Sequence, residues 1–125
     1  MNIPANLKYT KSDEWFNPAD GAIGLSDFAQ SQLSDIVFVE ILVAVGDRVE
    51  PGKGIASVES VKAAAEVYSP VSGKVVAVNT DVSSAPETMN TDPYGKAWLI
   101  KVEGADASAL MDAAAYEIDS QSRAH

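Results

Sequence analysis

No cysteine occurs among the 125 residues, which removes disulfides, thiolate nucleophiles and thiolate metal sites together. The one histidine, His125, is the last residue, where disorder is the default, so Ser-His-Asp triads and multi-histidine metal sites are excluded too. Basic side chains are scarce: nine Lys and Arg stand against eighteen Asp and Glu. The resulting formal charge of −9 has the wrong sign for a surface that neutralises phosphates, so no nucleic-acid partner is expected. No run approaches the roughly 20 apolar residues of a membrane span, and residues 1–10 carry neither a signal-peptide nor an Arg-rich transit pattern. Neither export nor membrane association is expected. Eight glycines and six prolines are too few for a collagen-like or disordered chain. Carboxylates, lysines and hydroxyls remain to carry any chemistry.

The length suits one domain, since domains run to about 100–200 residues. No linker or charge block divides residues 1–125, which are read as a single unit with a core over about 7–104 and a helical tail over about 106–119. Lys8–Tyr9–Thr10 and Glu14–Trp15–Phe16 are short strand candidates, followed by a turn at 17–21 and by Ala22–Leu25. Ser26 is placed to cap a short helix over 27–33, with Asp27 in its first turn and Phe28, Ala29 and Leu33 on its apolar side. The β-branched run from Ile36 to Val45 predicts a buried strand from which Glu40 escapes at an edge. Short strand patterns then recur at Arg48–Val49, Ile55–Glu59, Ala64–Ser69, Lys74–Val78 and Trp98–Val102, separated by turns at 51–54 and 70–73. Such spacing predicts a sandwich or barrel. Val45-x-x-x-Val49 and Val71-x-x-x-Val75 form a weak internal echo, whose halves meet between Glu59 and Ala64. Asp106 or Ser108 is expected to cap the tail helix, with Ile118 as a late anchor.

Two glycine patterns fail as nucleotide motifs. Gly52-Lys53-Gly54 lacks the third glycine of a dinucleotide fingerprint and leads into a strand, while the stretch from Gly46 to Gly54 lacks the spacing and the hydroxyl of a P-loop. Asp81, Glu87 and Asp92 follow no EF-hand order and are expected to be solvated.

The informative stretch is Val58-Glu59-Ser60-Val61-Lys62-Ala63-Ala64-Ala65-Glu66. Lys62 falls where two strand candidates meet, with room only for a tight turn. An exposed ammonium there is a poor Schiff-base catalyst, because catalytic lysines are usually desolvated. Two readings stay open on these residues: a solvated hairpin lysine, or a lysine presented for enzymatic modification as the stem of a carrier.

Val58-Glu59-Ser60-Val61-Lys62-Ala63 resembles the lipoyl-attachment motif of glycine cleavage system H proteins. The likeness is collinear over about residues 7–118, through Glu14-Trp15, Asp27-Phe28-Ala29-Gln30 with Leu33, Asp35 to Glu40, Ser69 to Gly73, Val78-Asn79, and Asn90 to Gly95 with Trp98 to Lys101. The resemblance implies a mainly β, lipoyl/biotinyl-type sandwich, a flattened barrel of two antiparallel sheets, with the short helix near 27–33 and the helical C-terminal tail. It implies lipoic acid bound covalently to Lys62 within an attachment motif that includes Glu59, Val61 and Ala63. It also implies a carrier rather than an enzyme, with no catalytic residue and no metal of its own. Such a carrier takes an aminomethyl group from glycine decarboxylase, a pyridoxal phosphate enzyme, to aminomethyltransferase, which uses tetrahydrofolate. It then presents dihydrolipoyl to dihydrolipoamide dehydrogenase, which uses FAD and NAD. A lipoate-protein ligase or octanoyltransferase is the implied modifying partner, and a monomer the implied state. Ser12, Glu14 and Glu66 match the positions that hold the ammonium of the loaded arm in a surface cleft.

The chain departs from the family where Asp13 replaces a frequent His before Glu-Trp, where Glu66 replaces a frequent Asp, and where Gln32 stands for a His found in some relatives. A lipoyl relay to 2-oxo acid dehydrogenases and an unmodified interaction domain are the alternative readings. A start without a transit peptide suggests a bacterial cytoplasmic form, with the mitochondrial matrix as the location of a processed organellar one.

Overall fold

Turn chemistry and alternation organise the chain into two antiparallel sheets, seen in a computed structural model that describes residues 2–123. His125 lies outside the described residues. Strands β1 (Lys8–Tyr9), β2 (Glu14–Phe16) and β3 (Ala22–Leu25) form successive hairpins. Gly21 makes the second turn at φ 78°, where an added Cβ would meet the Val102 carbonyl. Helix α1 (Asp27–Leu33) follows at its expected bounds, and the Ser26 side chain accepts the Ala29 amide at its N-terminus.

The larger sheet has the order β1-β2-β3-β9-β8-β5, where β5 is Arg48–Val49, β8 Gly73–Val78 and β9 Ile100–Glu103. The smaller has the order β4-β6-β7, with β4 Ile36–Ile41, β6 Gly54–Ser60 and β7 Ala64–Tyr68. The sheets remain open rather than closing into one barrel, so among the described residues β4 and β7 each pair with one strand only. Both sheets contribute to one apolar core that includes Ile23, Val39, Val49, Ile55, Val58, Val67, Val75 and Ile100. The two halves of the internal echo pair with each other, Val49 lying opposite Gly73.

The 36–45 run departs from expectation. β4 ends at Ile41, and Val37, Phe38, Leu42 and Val45 are exposed while Ile36, Val39 and Val43 are buried. A register shift between Ile36 and Phe38 offsets Val37, and the outer face of the smaller sheet carries Phe38 and Glu40 toward solvent.

The tail differs too. Helix α4 spans Ala113–Arg123, later than expected, because Asp106 makes a local turn with the Ser108 amide while Asp112 receives the Ala115 amide. Ile118 is exposed and anchors nothing; Tyr116 and Ser120 are the buried residues of α4. Tyr116 stacks on Tyr9 with ring centroids 4.6 Å apart, in a second apolar cluster with Leu7, Trp15, Ala22 and Phe28. Two short helices, α2 (Thr80–Ser84) and α3 (Thr88–Thr91), were not anticipated. Asn79 caps α2 and ties it to the segment before β9 by donating to the Lys96 and Trp98 carbonyls.

Candidate functional site

Lys62 occupies the apex of the β6–β7 hairpin. Register pairs Glu59 with Ala64, and the Ser60 amide donates to the Ala63 carbonyl at 2.8 Å, leaving Val61 and Lys62 as a two-residue turn. Neither has a positive φ, so this is not the primed turn usual for such loops, and other contacts hold it. The Ser60 hydroxyl accepts the amides of Lys62 at 3.3 Å and Ala63 at 3.0 Å. The Val61 amide donates to the Asp35 carbonyl at 3.1 Å, tying the turn to the start of β4. Val61, Lys62 and Ala63 are all exposed, and Glu59 is exposed one step below. Among the described residues the Lys62 ammonium has no ion-pair or hydrogen-bond partner.

Glu14 is the unusual group: a carboxylate only 1% exposed on β2. Its Oε1 accepts the hydroxyls of Ser12 at 2.6 Å and Thr10 at 2.7 Å, and its Oε2 accepts the Tyr68 amide at 3.3 Å. Burial pushes its pKa above the ordinary glutamate value, and the bonds from Ser12, Thr10 and Tyr68 pull it part of the way back. The Tyr68 bond shows that β7 turns this backbone edge toward β2, since Tyr68 N–H points away from β6.

The loop that carries Ser12 has a recognisable geometry. The Thr10 amide donates to the Glu14 carbonyl and the Asp13 amide to the Thr10 carbonyl, which makes Lys11–Asp13 a three-residue hairpin loop. Its last position is left-handed, Asp13 having φ 74°.

A pocket of about 180 Å³ opens between this loop, α1 and β7. Ser12 and Asp13 form one wall, Ala29, Gln32 and Leu33 another, Ala65 and Glu66 the third, with Leu25 in the lining as well. Glu66 is exposed, and its carboxylate lies over Gly54, where a Cβ would strike Oε1. Ser12 and Glu66 therefore share one cavity, and Glu14 joins them from behind through the Ser12 hydroxyl. Glu66 lies four residues beyond Lys62, on β7, which begins two residues after the lysine. A cation entering the pocket would meet Glu66 at the rim and the Ser12–Glu14 pair within.

Sequence reasoning did not identify Thr10 and the Tyr68 amide as partners of Glu14, nor Ser60 as the residue that caps the tip. Thr10 and Ser60 follow a local logic, a hydroxyl at a hairpin turn; the Tyr68 contact spans 54 residues and has no local signal. Among the described residues no group of three or more His, Cys, Asp or Glu is placed to hold a metal ion, and no helix is long and apolar enough to cross a membrane.

Known proteins resemble this chain over nearly its whole length. The sequence profile described as glycine cleavage H-protein matches residues 7–122. A glycine cleavage system H protein from Anaeromyxobacter sp. (strain K) is 50% identical over 122 residues, covering 94% of this chain and 94% of the relative. One from Laribacter hongkongensis is 52% identical over 122 residues, covering 93% and 95%. Among solved structures, the crystal structure of a glycine cleavage system H protein from Mycobacterium marinum superposes with a TM-score of 0.84 at 35% identity, covering 95% of this chain and 99% of that one. A profile match of this extent, joined to relatives of this identity on the same two-sheet fold, makes the chain a member of the glycine cleavage H-protein family.

Proposed function

We propose that Lys62 carries lipoic acid in amide linkage and that the chain, as one carrier unit, is the lipoylated shuttle of the glycine cleavage system. In this reading it carries the aminomethyl group from glycine decarboxylase to aminomethyltransferase, and then presents dihydrolipoyl to dihydrolipoamide dehydrogenase. The observation that carries it is the placement of an unpartnered, exposed lysine at a two-residue apex, with a carboxylate-lined pocket at Glu66, on the strand that leaves that apex.

The residues present fit the group. A ligase must reach Nζ, and nothing among the described residues shields it; the Ser60 hydroxyl holds the turn so that the stem alone swings. Bound there, lipoate supplies the two-electron disulfide that a chain without cysteine lacks, and with it the sulfur that holds a one-carbon unit. Glu59, Val61 and Ala63 frame the lysine for the modifying enzyme, a lipoate-protein ligase or octanoyltransferase. Ser12, Glu14 and Glu66 receive an ammonium in the pocket, and Leu25, Ala29 and Leu33 limit water around it. Glu14 is suited to this role because its burial penalises charge until a cation arrives, and the cation then favours the ionised form. An uncharged arm gains nothing from these carboxylates, so docking depends on loading. The chain itself supplies binding and protection rather than catalysis, as a monomer in the bacterial cytoplasm.

Intact mass decides the attachment. The parent incubated with a lipoate-protein ligase, lipoate and ATP gains one lipoyl increment, and Lys62→Ala gains none. An increment on both proteins would move the site elsewhere. The pathway is tested separately: glycine decarboxylase accepts the lipoylated parent as substrate, whereas a dedicated relay to 2-oxo acid dehydrogenases would be a poor acceptor.

A further inference from the structure

Helix α4 does not line the pocket, yet it holds two of the three walls that do. The Tyr116 hydroxyl donates to Asp13 Oδ1 at 2.9 Å, and Arg123 reaches the same carboxylate with Nη2 at 2.8 Å and Nη1 at 3.2 Å. The proton inventory then orders the remaining bond. Tyr116 has spent its only proton on Asp13, so its oxygen accepts from the Ser26 hydroxyl, 2.6 Å away. Ser26 in turn accepts the Ala29 amide as the cap of α1, and its own amide donates to the Asp13 carbonyl at 2.9 Å. One network thus joins α4, the loop bearing Ser12 and Glu14, and the first turn of the helix that brings Ala29, Gln32 and Leu33 to the cavity.

Asp13 needs such a hold. It takes the left-handed position of a three-residue loop, a place where glycine costs nothing and a side chain does. Its charge faces Arg123, which also pairs with Asp119 one turn back on α4 and lies 5.3 Å from the centre of the Phe28 ring. The Asp13 carboxylate is in this way occupied by Arg123 and Tyr116, while Glu14 and Glu66 have no cationic partner among the described residues.

We propose that α4 is a positioning element for the pocket: Tyr116 and Arg123 lock Asp13, and through it Ser12 and Glu14, into the arrangement that receives the ammonium of the loaded arm. The coupling rests on the proposed function for its purpose, though not for its existence. A chain whose α4 is undocked presents a looser Ser12–Glu14 loop and protects its cargo less.

Hydrogen exchange on the unmodified chain reads the lock without any cofactor. Arg123→Ala is expected to speed exchange at the Glu14 and Ser26 amides by about threefold or more. Arg123→Lys falls between that variant and the parent, because an ammonium cannot reproduce two parallel N–H bonds. Tyr116→Phe keeps the Tyr9 stack and loosens the same two amides, while Ile118→Ala, on the exposed face of α4, leaves them at the parent rate. Faster exchange confined to α4, with Glu14 and Ser26 unchanged, overturns the proposal.

The second readout is loss of cargo from aminomethyl-loaded protein. Water cleaves the carbon–sulfur bond, and the aminomethyl thioether with its ammonium becomes a thiol, formaldehyde and an ammonium ion. Release is expected to be faster in Arg123→Ala than in the parent and partly restored in Arg123→Lys. Full protection in Arg123→Ala despite a loosened loop overturns the positioning role. A loaded parent that releases formaldehyde as fast as free aminomethyl-dihydrolipoamide would instead remove the pocket reading, leaving the lock to be judged on exchange alone.

Discussion

The Glu14 carboxylate accepts the Tyr68 amide across 3.3 Å, so a buried acid of the larger sheet satisfies the open edge of the smaller one. This bond joins the strand that bears the pocket rim to the hairpin that bears its inner wall, and four consequences of the surrounding structure can be measured.

Burial raises the Glu14 pKa, so the folded chain holds this proton more tightly than the unfolded chain does. The stability that this contributes is complete below the ordinary glutamate range and is lost as pH rises through the raised value. Asp13, beside it, pushes in the same direction, while Ser12, Thr10 and the Tyr68 amide oppose it. In urea titrations, the stability difference between Glu14→Gln and the parent should shift in favour of the variant from about pH 4 to about pH 8. A difference that stays constant across that range would contradict the burial effect. In the loaded protein, the same titration predicts weaker retention of the arm as pH falls through the raised value.

Gly54 and Gly21 should respond differently to a methyl group. At Gly54 the Cβ meets the end of the Glu66 side chain, which can swing aside, so Gly54→Ala stays within about 1 kcal/mol of the parent. On the proposed function, the displaced carboxylate should nonetheless lower cargo protection. At Gly21 the Cβ meets the Val102 backbone at φ 78°, and Gly21→Ala loses about 2 kcal/mol or more. Denaturant midpoints and formaldehyde release, measured on both variants, check the two outcomes.

Ser60→Ala removes the acceptor for the Lys62 and Ala63 amides at the tip. The turn is exposed, so the loss of stability is small, about 0.5–1 kcal/mol. Lipoylation by a fixed amount of ligase should slow by more than that change alone implies, because the ligase then meets a lysine on a loosened turn. An unchanged lipoylation rate would show that the ligase does not depend on the capped geometry.

Asn90 of α3 clasps α1 and β4: its Oδ1 accepts the Ile36 amide at 2.9 Å, and its Nδ2 donates to Gln30 Oε1 and to the Ser34 carbonyl. Asn90→Ala strands the amide of a buried residue at the start of β4, so a loss of about 1–3 kcal/mol is expected in chemical denaturation. The Lys62 tip, tied to Asp35 one residue before that strand, should show faster hydrogen exchange at Val61.

Legibility tracked how local each cause was. Ser26 capping α1, the turn at 17–21 and the hairpin apex at Lys62 are written in adjacent residues, and the corresponding elements match the reading closely. The burial of the 36–45 run is not legible because β-branched composition states only that a strand forms; which of its side chains are buried depends on which sheet face meets the core, and Phe38 and Glu40 fall on the other one. Tail propensity began at Ala109, but the start of α4 was decided by Asp112 and its anchoring by Tyr116 against Tyr9, a contact across the whole chain. The Ser12–Glu14 pair was legible by resemblance alone. The lock on Asp13, with Arg123 110 residues away, had no local mark.

The β6–β7 hairpin also acts as a ruler. Antiparallel strands keep their side chains on the same faces only when they grow by two residues each, because a single added residue turns every following side chain over. Without a bulge to absorb an odd residue, Lys62 moves relative to Glu66 in jumps of about 7 Å. If Lys62 bears the proposed stem, its reach and the position of the pocket are set by whole pairs of residues, so lengthening this hairpin for a larger cargo would proceed in steps rather than by gradual stretching.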